Sequence, residues 1–149
     1  ERSRGLGDVY NRQIFKNYQL VVEESGKVFR SDNQVNRILK MDKALLKQLM
    51  TILVDNAIKY TDKNGVVEIK VKTTDKTLLI SVIDNGPGIK DEEKKKIFDR
   101  FYRVDKARTR QTGGFGLGLA LAQQIVTSLK GSITVKDNFP KGSIFEVKL

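Results

Sequence analysis

The sequence of 149 residues contains neither cysteine nor histidine. Without cysteine, disulfide scaffolds and thiolate metal sites are excluded, and the composition fits a reducing compartment. Without histidine, no imidazole is available as a metal ligand, a general base or a phosphoacceptor. Chemistry that needs such a group must draw it from elsewhere.

Long apolar runs are also missing. No segment of about eighteen apolar residues occurs, so nothing in the sequence is predicted to span a membrane, and no signal-peptide pattern opens the chain. The length suits one domain with a real core better than two. We expect a flexible leader or linker remnant over residues 1–8 and a single domain over residues 9–149.

The formal net charge of +10 raises the possibility of nucleic-acid binding. The lysines are spread over nearly every segment, however. The only dense run, at residues 94–96, follows the acidic residues 91–93, an order that suits the dipole of a solvated helix. A basic surface still attracts polyanions, including a nucleoside triphosphate or an acidic partner protein.

The strongest helix pattern covers residues 42–60, with Asp42 as the expected N-cap and a turn at residues 62–65. One broad face is apolar and carries Leu45, Leu46, Leu49, Met50, Ile52, Leu53, Ala57 and Tyr60. Asn56 lies within this face, and Lys59 and Tyr60 follow at helical spacing. A buried carboxamide needs a hydrogen bond or a ligand, since unpaired burial costs roughly 1–3 kcal/mol. A satisfied interior asparagine beside a snorkelling lysine and a core tyrosine gives the same pattern.

Alternating apolar residues predict two hairpins, one from residues 66–72 and 78–83 and one from residues 132–136 and 143–149. Short edge strands are expected at residues 18–23, 28–30 and 37–41. Residues 119–130 predict an apolar helix, and Gly131 is the expected C′ residue.

A carboxylate is predicted at the end of a buried strand, in the sequence DNGPGI at residues 84–89. Gly86 and Gly88 allow a tight turn and close approach of a ligand to the backbone, and Pro87 stiffens the bend. Asp84 would then be a recessed acceptor for an exocyclic amine such as that of adenine. Asn-Gly and Pro-Gly are equally ordinary surface-turn signals, so this stretch alone leaves both interpretations open.

A second glycine cluster, GGFGLG at residues 113–118, leads directly into the predicted helix. Free N–H groups at a helix N-terminus, reached through glycines, suit phosphate oxygens. The spacing matches neither the P-loop nor the dinucleotide fingerprint. Close packing of a helix on a sheet would also call for these glycines.

The polar segment that runs from FDRFYR, at residues 98–103, up to the second glycine cluster is rich in basic side chains. They are Arg100, Arg103, Lys106, Arg108 and Arg110. Long basic side chains on a mobile loop either close over a triphosphate or remain a solvated lid without a catalytic part.

In this order and spacing, residues 42–145 resemble the catalytic and ATP-binding domain of sensor histidine kinases, within the GHKL superfamily that includes gyrase-type ATPases. The asparagine motif is DNAIKY at residues 55–60, and the terminal motif is GSIF at residues 142–145. The sequences at residues 84–89, 98–103 and 114–119 are similar to the first glycine, phenylalanine and second glycine motifs. The resemblance implies an α/β (α+β) two-layer sandwich with a Bergerat-type ATP-binding fold. Its mixed sheet would have about five main strands against three main helices, with a flexible ATP lid.

The resemblance also implies residue roles in binding ATP and Mg²⁺. Asp84 would accept from the adenine amine with Ser143 near it, and Asn56 would bind the Mg²⁺ that bridges the phosphates. The expected nucleotide contacts are Asn56, Lys59, Tyr60, Asp84, Gly86, Gly88, Ile89, Phe98, Tyr102, Gly114, Phe115, Gly116, Leu117, Gly118, Leu119 and Ser143. The residues expected to act in phosphoryl transfer are Asn56, Lys59, Arg103 and Lys106.

Sensor kinases carry the phosphoacceptor histidine on a separate helical dimerisation domain, and this sequence has no histidine. By this resemblance, the chain is expected to be the catalytic fragment of a larger membrane-bound or soluble sensor kinase, and in the first case a cytoplasmic part of a membrane-anchored protein. Its expected partners are the dimerisation domain, which would also make the homodimer, and a response regulator, with no nucleic acid. We expect it to bind Mg-ATP alone but not to autophosphorylate alone.

One position departs from the gyrase-type pattern. Those ATPases carry a water-activating glutamate one helical turn before the metal-binding asparagine, many sensor kinases have asparagine there, and this sequence has Ile52. An aliphatic side chain cannot polarise water, so efficient hydrolysis of ATP is disfavoured, and the usual pattern of metal binding is put in question.

Two alternatives to a histidine kinase domain are a related domain that hydrolyses ATP or phosphorylates serine, and a basic, non-enzymatic nucleic-acid-binding module. The module would leave both glycine clusters unexplained.

Overall fold

The computed structural model describes residues 4–6, 8–36, 39–102 and 117–149 of the chain. Seven strands, three α-helices and two 3₁₀ turns occur within them. In chain order they are β1 Arg4–Leu6, α1 Asp8–Glu24, β2 Val28–Gln34, β3 Leu39–Met41, α2 Lys43–Tyr60, β4 Val66–Thr73, β5 Leu78–Asp84, the 3₁₀ turns Asp91–Glu93 and Lys96–Phe98, α3 Gly118–Ser128, β6 Ser132–Asp137 and β7 Ser143–Lys148.

Five strands form one mixed sheet in the order β2-β4-β5-β7-β6. β2 is parallel to β4, and every other neighbouring pair in this sheet is antiparallel. Parallel neighbours need a long crossover, which α2 provides between β2 and β4. β1 and β3 form a separate antiparallel pair. The predicted mixed five-stranded α/β fold and both predicted hairpins are confirmed.

The helices pack on one face of this sheet. Alternate residues of β4 and β5 point into the core, and Val67, Ile69, Ile80 and Val82 are almost fully buried. α2 contributes the largest helical share of the core with Leu46, Leu49, Met50, Leu53, Val54 and Ala57. The predicted N-cap is confirmed, since the Asp42 carboxylate accepts a hydrogen bond from the Leu45 N–H at 3.1 Å. In the described part of the chain, no helix combines the length and hydropathy needed to cross a bilayer.

The edge strand predicted at residues 18–23 is wrong, because these residues belong to α1. Phe15, Tyr18 and Val22 are buried at helical spacing, whereas Leu20 and Val21 are exposed. A strand would have buried alternate residues instead. The strands predicted at residues 28–30 and 37–41 are present as the longer β2 and the shorter β3. Within the expected leader, Arg4–Leu6 is paired with β3.

Two further details differ from the sequence predictions. The segment holding residues 91–96 forms 3₁₀ turns rather than a longer helix. The C′ residue after α3 is Lys130, with φ of +62°, and not Gly131. Gly131 instead donates its N–H to the Val126 carbonyl at 2.9 Å. A Cβ on Gly131 would lie 2.2 Å from the Lys148 carbonyl oxygen, so close backbone packing accounts for this glycine.

Candidate functional site

A cavity of about 890 Å³ lies where β5 ends, β7 begins and the last turns of α2 approach the sheet. Strand register brings three of its residues into one row, since Asp84 pairs with Ser143, and Ser143 pairs with Asp137. The lining residues are Asn56, Tyr60, Asp84, Pro87, Gly88, Ile89, Lys90, Glu93, Ile97, Tyr102, Leu119, Asp137, Asn138, Phe139, Pro140, Lys141, Gly142, Ser143 and Phe145.

Asp84 is the buried carboxylate of this cavity, with 4% of its surface exposed. Its Oδ1 accepts from the Gly86 N–H at 2.9 Å and from the Ser143 N–H at 3.3 Å. Among the described residues, none donates a hydrogen bond to its Oδ2. Burial raises the pKa of the Asp84 carboxyl, and the two N–H donors oppose that rise. Asp84 thus offers a fixed acceptor with one oxygen available to a ligand.

The turns beside Asp84 depend on glycine. A Cβ on Gly86 would lie 2.1 Å from the Tyr60 carbonyl oxygen, so α2 and the turn after β5 pack backbone to backbone. Gly142 has φ of +111°, and its Cβ would lie 1.9 Å from the Asp84 carbonyl oxygen. A side chain at either position would push apart the elements that form the cavity wall.

The end of α2 supplies Asn56 and Tyr60 to the cavity, one helical turn apart. Both are half-buried. Lys59, which the sequence grouped with them, is absent from the lining residues, and its Nζ forms an ion pair with Asp55 at 3.1 Å.

Lys94 connects two parts of the cavity wall. Its Nζ donates to the Ile89 carbonyl at 3.0 Å and pairs with the Asp137 carboxylate at 2.9 Å, so it joins the turn after β5 to the end of β6. It also pairs with Asp91, and these carboxylate contacts, Asp91 first, raise the pKa of Lys94. Nearby, the Tyr102 hydroxyl donates to Glu93, which raises the pKa of Tyr102.

The structure brings eight of the predicted nucleotide contacts to this cavity: Asn56, Tyr60, Asp84, Gly88, Ile89, Tyr102, Leu119 and Ser143. Five others are described but do not line it: Lys59, Gly86, Phe98, Leu117 and Gly118. Phe98 is buried behind the wall, where its ring meets the lining residue Phe145 edge-on at 6.3 Å between centroids. The predicted Arg103, Lys106, Gly114, Phe115 and Gly116 lie outside the described residues.

The turn between β6 and β7 lines the cavity but was not predicted to do so. It contributes Asn138, Phe139, Pro140 and Lys141 in addition to residues at the strand ends. The sequence carried a usable signal, because this turn directly precedes the terminal motif that contains Ser143.

Comparisons with known proteins return a family model, sequence relatives and solved structures of the same fold. The family model described as histidine kinase-, DNA gyrase B-, and HSP90-like ATPase matches residues 41–149. Sensor protein CiaH of Streptococcus pneumoniae serotype 4 is 61% identical over 135 residues, covering 91% of this chain and 30% of CiaH. The signal transduction histidine-protein kinase ArlS of Staphylococcus aureus USA300 is 40% identical over 136 residues, covering 91% of this chain and 28% of ArlS.

Among solved structures, the catalytic domain of the histidine kinase ThkA superposes with a TM-score of 0.82 at 24% identity. The match covers 100% of this chain and 95% of that one, so the fold of the described residues is shared. The chain spans less than a third of the length of the two curated relatives, at 30% and 28%.

Proposed function

This chain belongs to the histidine kinase-, DNA gyrase B-, and HSP90-like ATPase family, and from that premise we propose that it binds Mg-ATP and donates the γ-phosphoryl group to a histidine on a separate dimerisation domain. The observation that carries the proposal is the buried Asp84 carboxylate, which has one oxygen held by two backbone N–H groups and lines a nucleotide-sized cavity. Pockets for small ligands are typically ~300–1,000 Å³, the range in which this cavity falls.

The Asp84 end of the cavity suits the base of the nucleotide. A carboxylate accepts hydrogen bonds and cannot donate them when ionised, so it matches the exocyclic amine of adenine and opposes the carbonyl of guanine. The two donors to Oδ1 fix the carboxylate before a ligand arrives. Preorganisation of this kind favours selectivity as well as affinity.

The Asn56 side of the cavity suits the phosphates and the metal ion. Its carboxamide oxygen is a hard ligand of the kind that Mg²⁺ accepts, and Mg²⁺ commonly combines one or two protein oxygens with phosphate oxygens and water. Within the described residues, no group of three or more potential ligands from His, Cys, Asp and Glu could hold a metal by itself. Bound there, Mg²⁺ would neutralise part of the phosphate charge.

In the proposed transfer, the bond between the γ-phosphorus and the ADP oxygen breaks while a bond to an imidazole nitrogen forms. The chain's part is to position the triphosphate and to balance its charge. We assign Lys59 to the phosphate chain and Arg103 or Lys106 to the terminal phosphate, with backbone donors at Gly114, Gly116 and Gly118.

The side chain of Ile52 disfavours direct hydrolysis of ATP by water. This α2 side chain is half-buried and faces the start of α3, since a Cβ on Gly118 would lie 3.6 Å from Ile52 Cγ2. It offers neither a base for water nor a metal ligand. A bound triphosphate would therefore persist until an acceptor histidine arrives.

The acceptor is proposed to lie in the larger protein. We infer a homodimer formed through the missing dimerisation domain, a response regulator that receives the phosphoryl group from the histidine, and a cytoplasmic location for this part of a membrane-anchored kinase. The name of the relative ArlS as a histidine-protein kinase supports this inference.

Labelled ATP tests the proposal directly. The chain is incubated with γ-labelled ATP and Mg²⁺, with and without a dimerisation domain that carries the histidine, and in parallel with that domain after His→Gln replacement. Acid-labile label on the histidine-bearing domain alone is the expected result. Label on the isolated chain, steady phosphate release without the domain, or acid-stable label on serine would each contradict it.

A further inference from the structure

Phe139 lies on the turn between β6 and β7, and the residue is 92% exposed, more than any other large apolar residue in the part of the chain that the structure describes. It nevertheless lines the cavity, in the same group of residues as Asp84, Asn138 and Ser143. Its ring is therefore an open apolar surface on a residue that borders the cavity, in a turn that is hydrogen-bonded to Asp84.

The backbone that carries this ring is fixed. The Asn138 N–H donates to the Gly142 carbonyl at 3.0 Å, and the Phe139 N–H donates to Asn138 Oδ1 at 2.9 Å. Asn138 Nδ2 donates to the carbonyl oxygen of Asp84 itself at 2.9 Å. The turn is thus tied to the main chain of the residue whose carboxylate would accept from the base. An anchored turn removes the backbone part of the ordering cost of binding, so that only the rotamer of the ring remains to be fixed by a bound base.

We propose that Phe139 is a base-binding residue that stacks on the purine held by Asp84, so that an aromatic face and a carboxylate contact the base together. This inference rests on the proposed nucleotide binding. Aromatic rings stack on any base because every base has a π-face, whereas hydrogen-bond acceptors select among bases. Phe139 therefore contributes binding affinity for any base, and Asp84 determines which base is bound preferentially.

This division of roles can be measured by calorimetric titration with ATP, GTP and inorganic tripolyphosphate in the presence of Mg²⁺. Phe139→Ala should weaken ATP and GTP by similar factors, on the order of tenfold, and leave their ratio unchanged. Tripolyphosphate, which has no base, should bind Phe139→Ala and the parent equally. Phe139→Trp should restore ATP affinity, and Leu20→Ala, an exposed apolar residue on α1, should alter none of these values.

Fluorescence gives a second readout. The sequence contains no tryptophan, so Phe139→Trp introduces a single tryptophan beside the cavity, which can be excited selectively over the four tyrosines. Its emission should change on addition of ATP or ADP and stay constant with tripolyphosphate. The emission of a Leu20→Trp variant should respond to none of the three ligands.

The outcomes separate this inference from the proposed function. If the parent chain binds no ATP, both are overturned. If the parent binds ATP and Phe139→Ala binds it with equal affinity, only the stacking role is overturned. That role also falls if tripolyphosphate binding drops with ATP binding, or if Phe139→Ala reduces labelling of the dimerisation domain at unchanged nucleotide affinity.

Discussion

Replacing Asp84 by asparagine tests two effects of this residue separately, its contribution to ligand affinity and the loss of folding stability caused by its buried charge. The carboxamide of the Asp84→Asn variant would keep an oxygen for the Gly86 and Ser143 N–H groups, which now donate to Oδ1 at 2.9 and 3.3 Å. The second position would become an NH₂ donor facing the amine of adenine. The variant therefore loses the acceptor while preserving the shape of the site.

The expected loss follows from one charge-assisted hydrogen bond. Such a bond contributes about 1.5–3 kcal/mol, and each 1.4 kcal/mol is about a tenfold change in affinity. ATP affinity should therefore fall by about 10- to 150-fold. GTP should lose much less, because its carbonyl can accept from the new NH₂ group.

Stability should move in the opposite direction. Burial raises the Asp84 pKa above its ordinary 3.8, so the folded chain binds this proton more tightly than the unfolded chain does. The free energy of unfolding therefore falls as the pH rises from 3.8 through the folded-state pKa, and the charged group opposes folding at neutral pH. The ligand-free Asp84→Asn variant should unfold at a higher temperature than the parent at pH 7 and lose that advantage below pH 3.8.

Calorimetry with ATP and GTP, and thermal unfolding between pH 3 and pH 8, measure the two effects on one preparation (the range brackets the ordinary aspartate pKa of ~4). Asp75→Asn, in the exposed turn after β4, makes the same change of charge away from the cavity and is the matched control. Equal affinities of the parent for ATP and GTP, or an unchanged ratio in the variant, would refute the assignment of Asp84 to the base.

Three further substitutions test the structure around the site. Gly86→Ala should lower the free energy of unfolding by about 1–3 kcal/mol, because the new Cβ would lie 2.1 Å from the Tyr60 carbonyl oxygen. A variant that is as stable as the parent in urea would contradict this packing. Thr61→Val should raise that free energy by on the order of 1 kcal/mol, since Thr61 Oγ1 is buried without a hydrogen-bond partner in the described part of the chain; a lower urea midpoint would argue against it. Lys94→Met should lower the unfolding temperature at pH 7 more than Lys95→Met, a control at the exposed neighbouring position. This difference between the two variants should vanish as the pH rises through the pKa of Lys94, which is raised above 10.5. Equal melting of the two lysine variants at pH 7 would count against the Lys94 contacts.

Local pattern predicted the elements that bury one regular face. α2, its Asp42 cap and the hairpins β4-β5 and β6-β7 all follow from spacing within about twenty residues, as such patterns should. The base end of the cavity was also predictable, because Asp84 and Ser143 each belong to a motif at a strand end.

Packing between segments far apart in the sequence determined the features that local patterns did not predict. Tyr18 and Val22 have side chains that favour strands, yet their contacts with the core select a helix. The parallel pairing of β2 with β4 joins segments on either side of α2, which no local pattern specifies. Phe139 lines the cavity from a turn that is hydrogen-bonded to Asp84, 54 residues before Asn138, and no local pattern specifies that contact.

β7 is the final strand along this sequence, yet it lies between β5 and β6. The partners Asp84 and Ser143 are 59 residues apart, so their pairing requires a large chain closure. During synthesis, the edge of β5 that pairs with β7 stays unpaired until the β6-β7 hairpin has left the ribosome. The cavity wall and the sheet are thus completed in the same late event, and a nascent chain has no competent site before it.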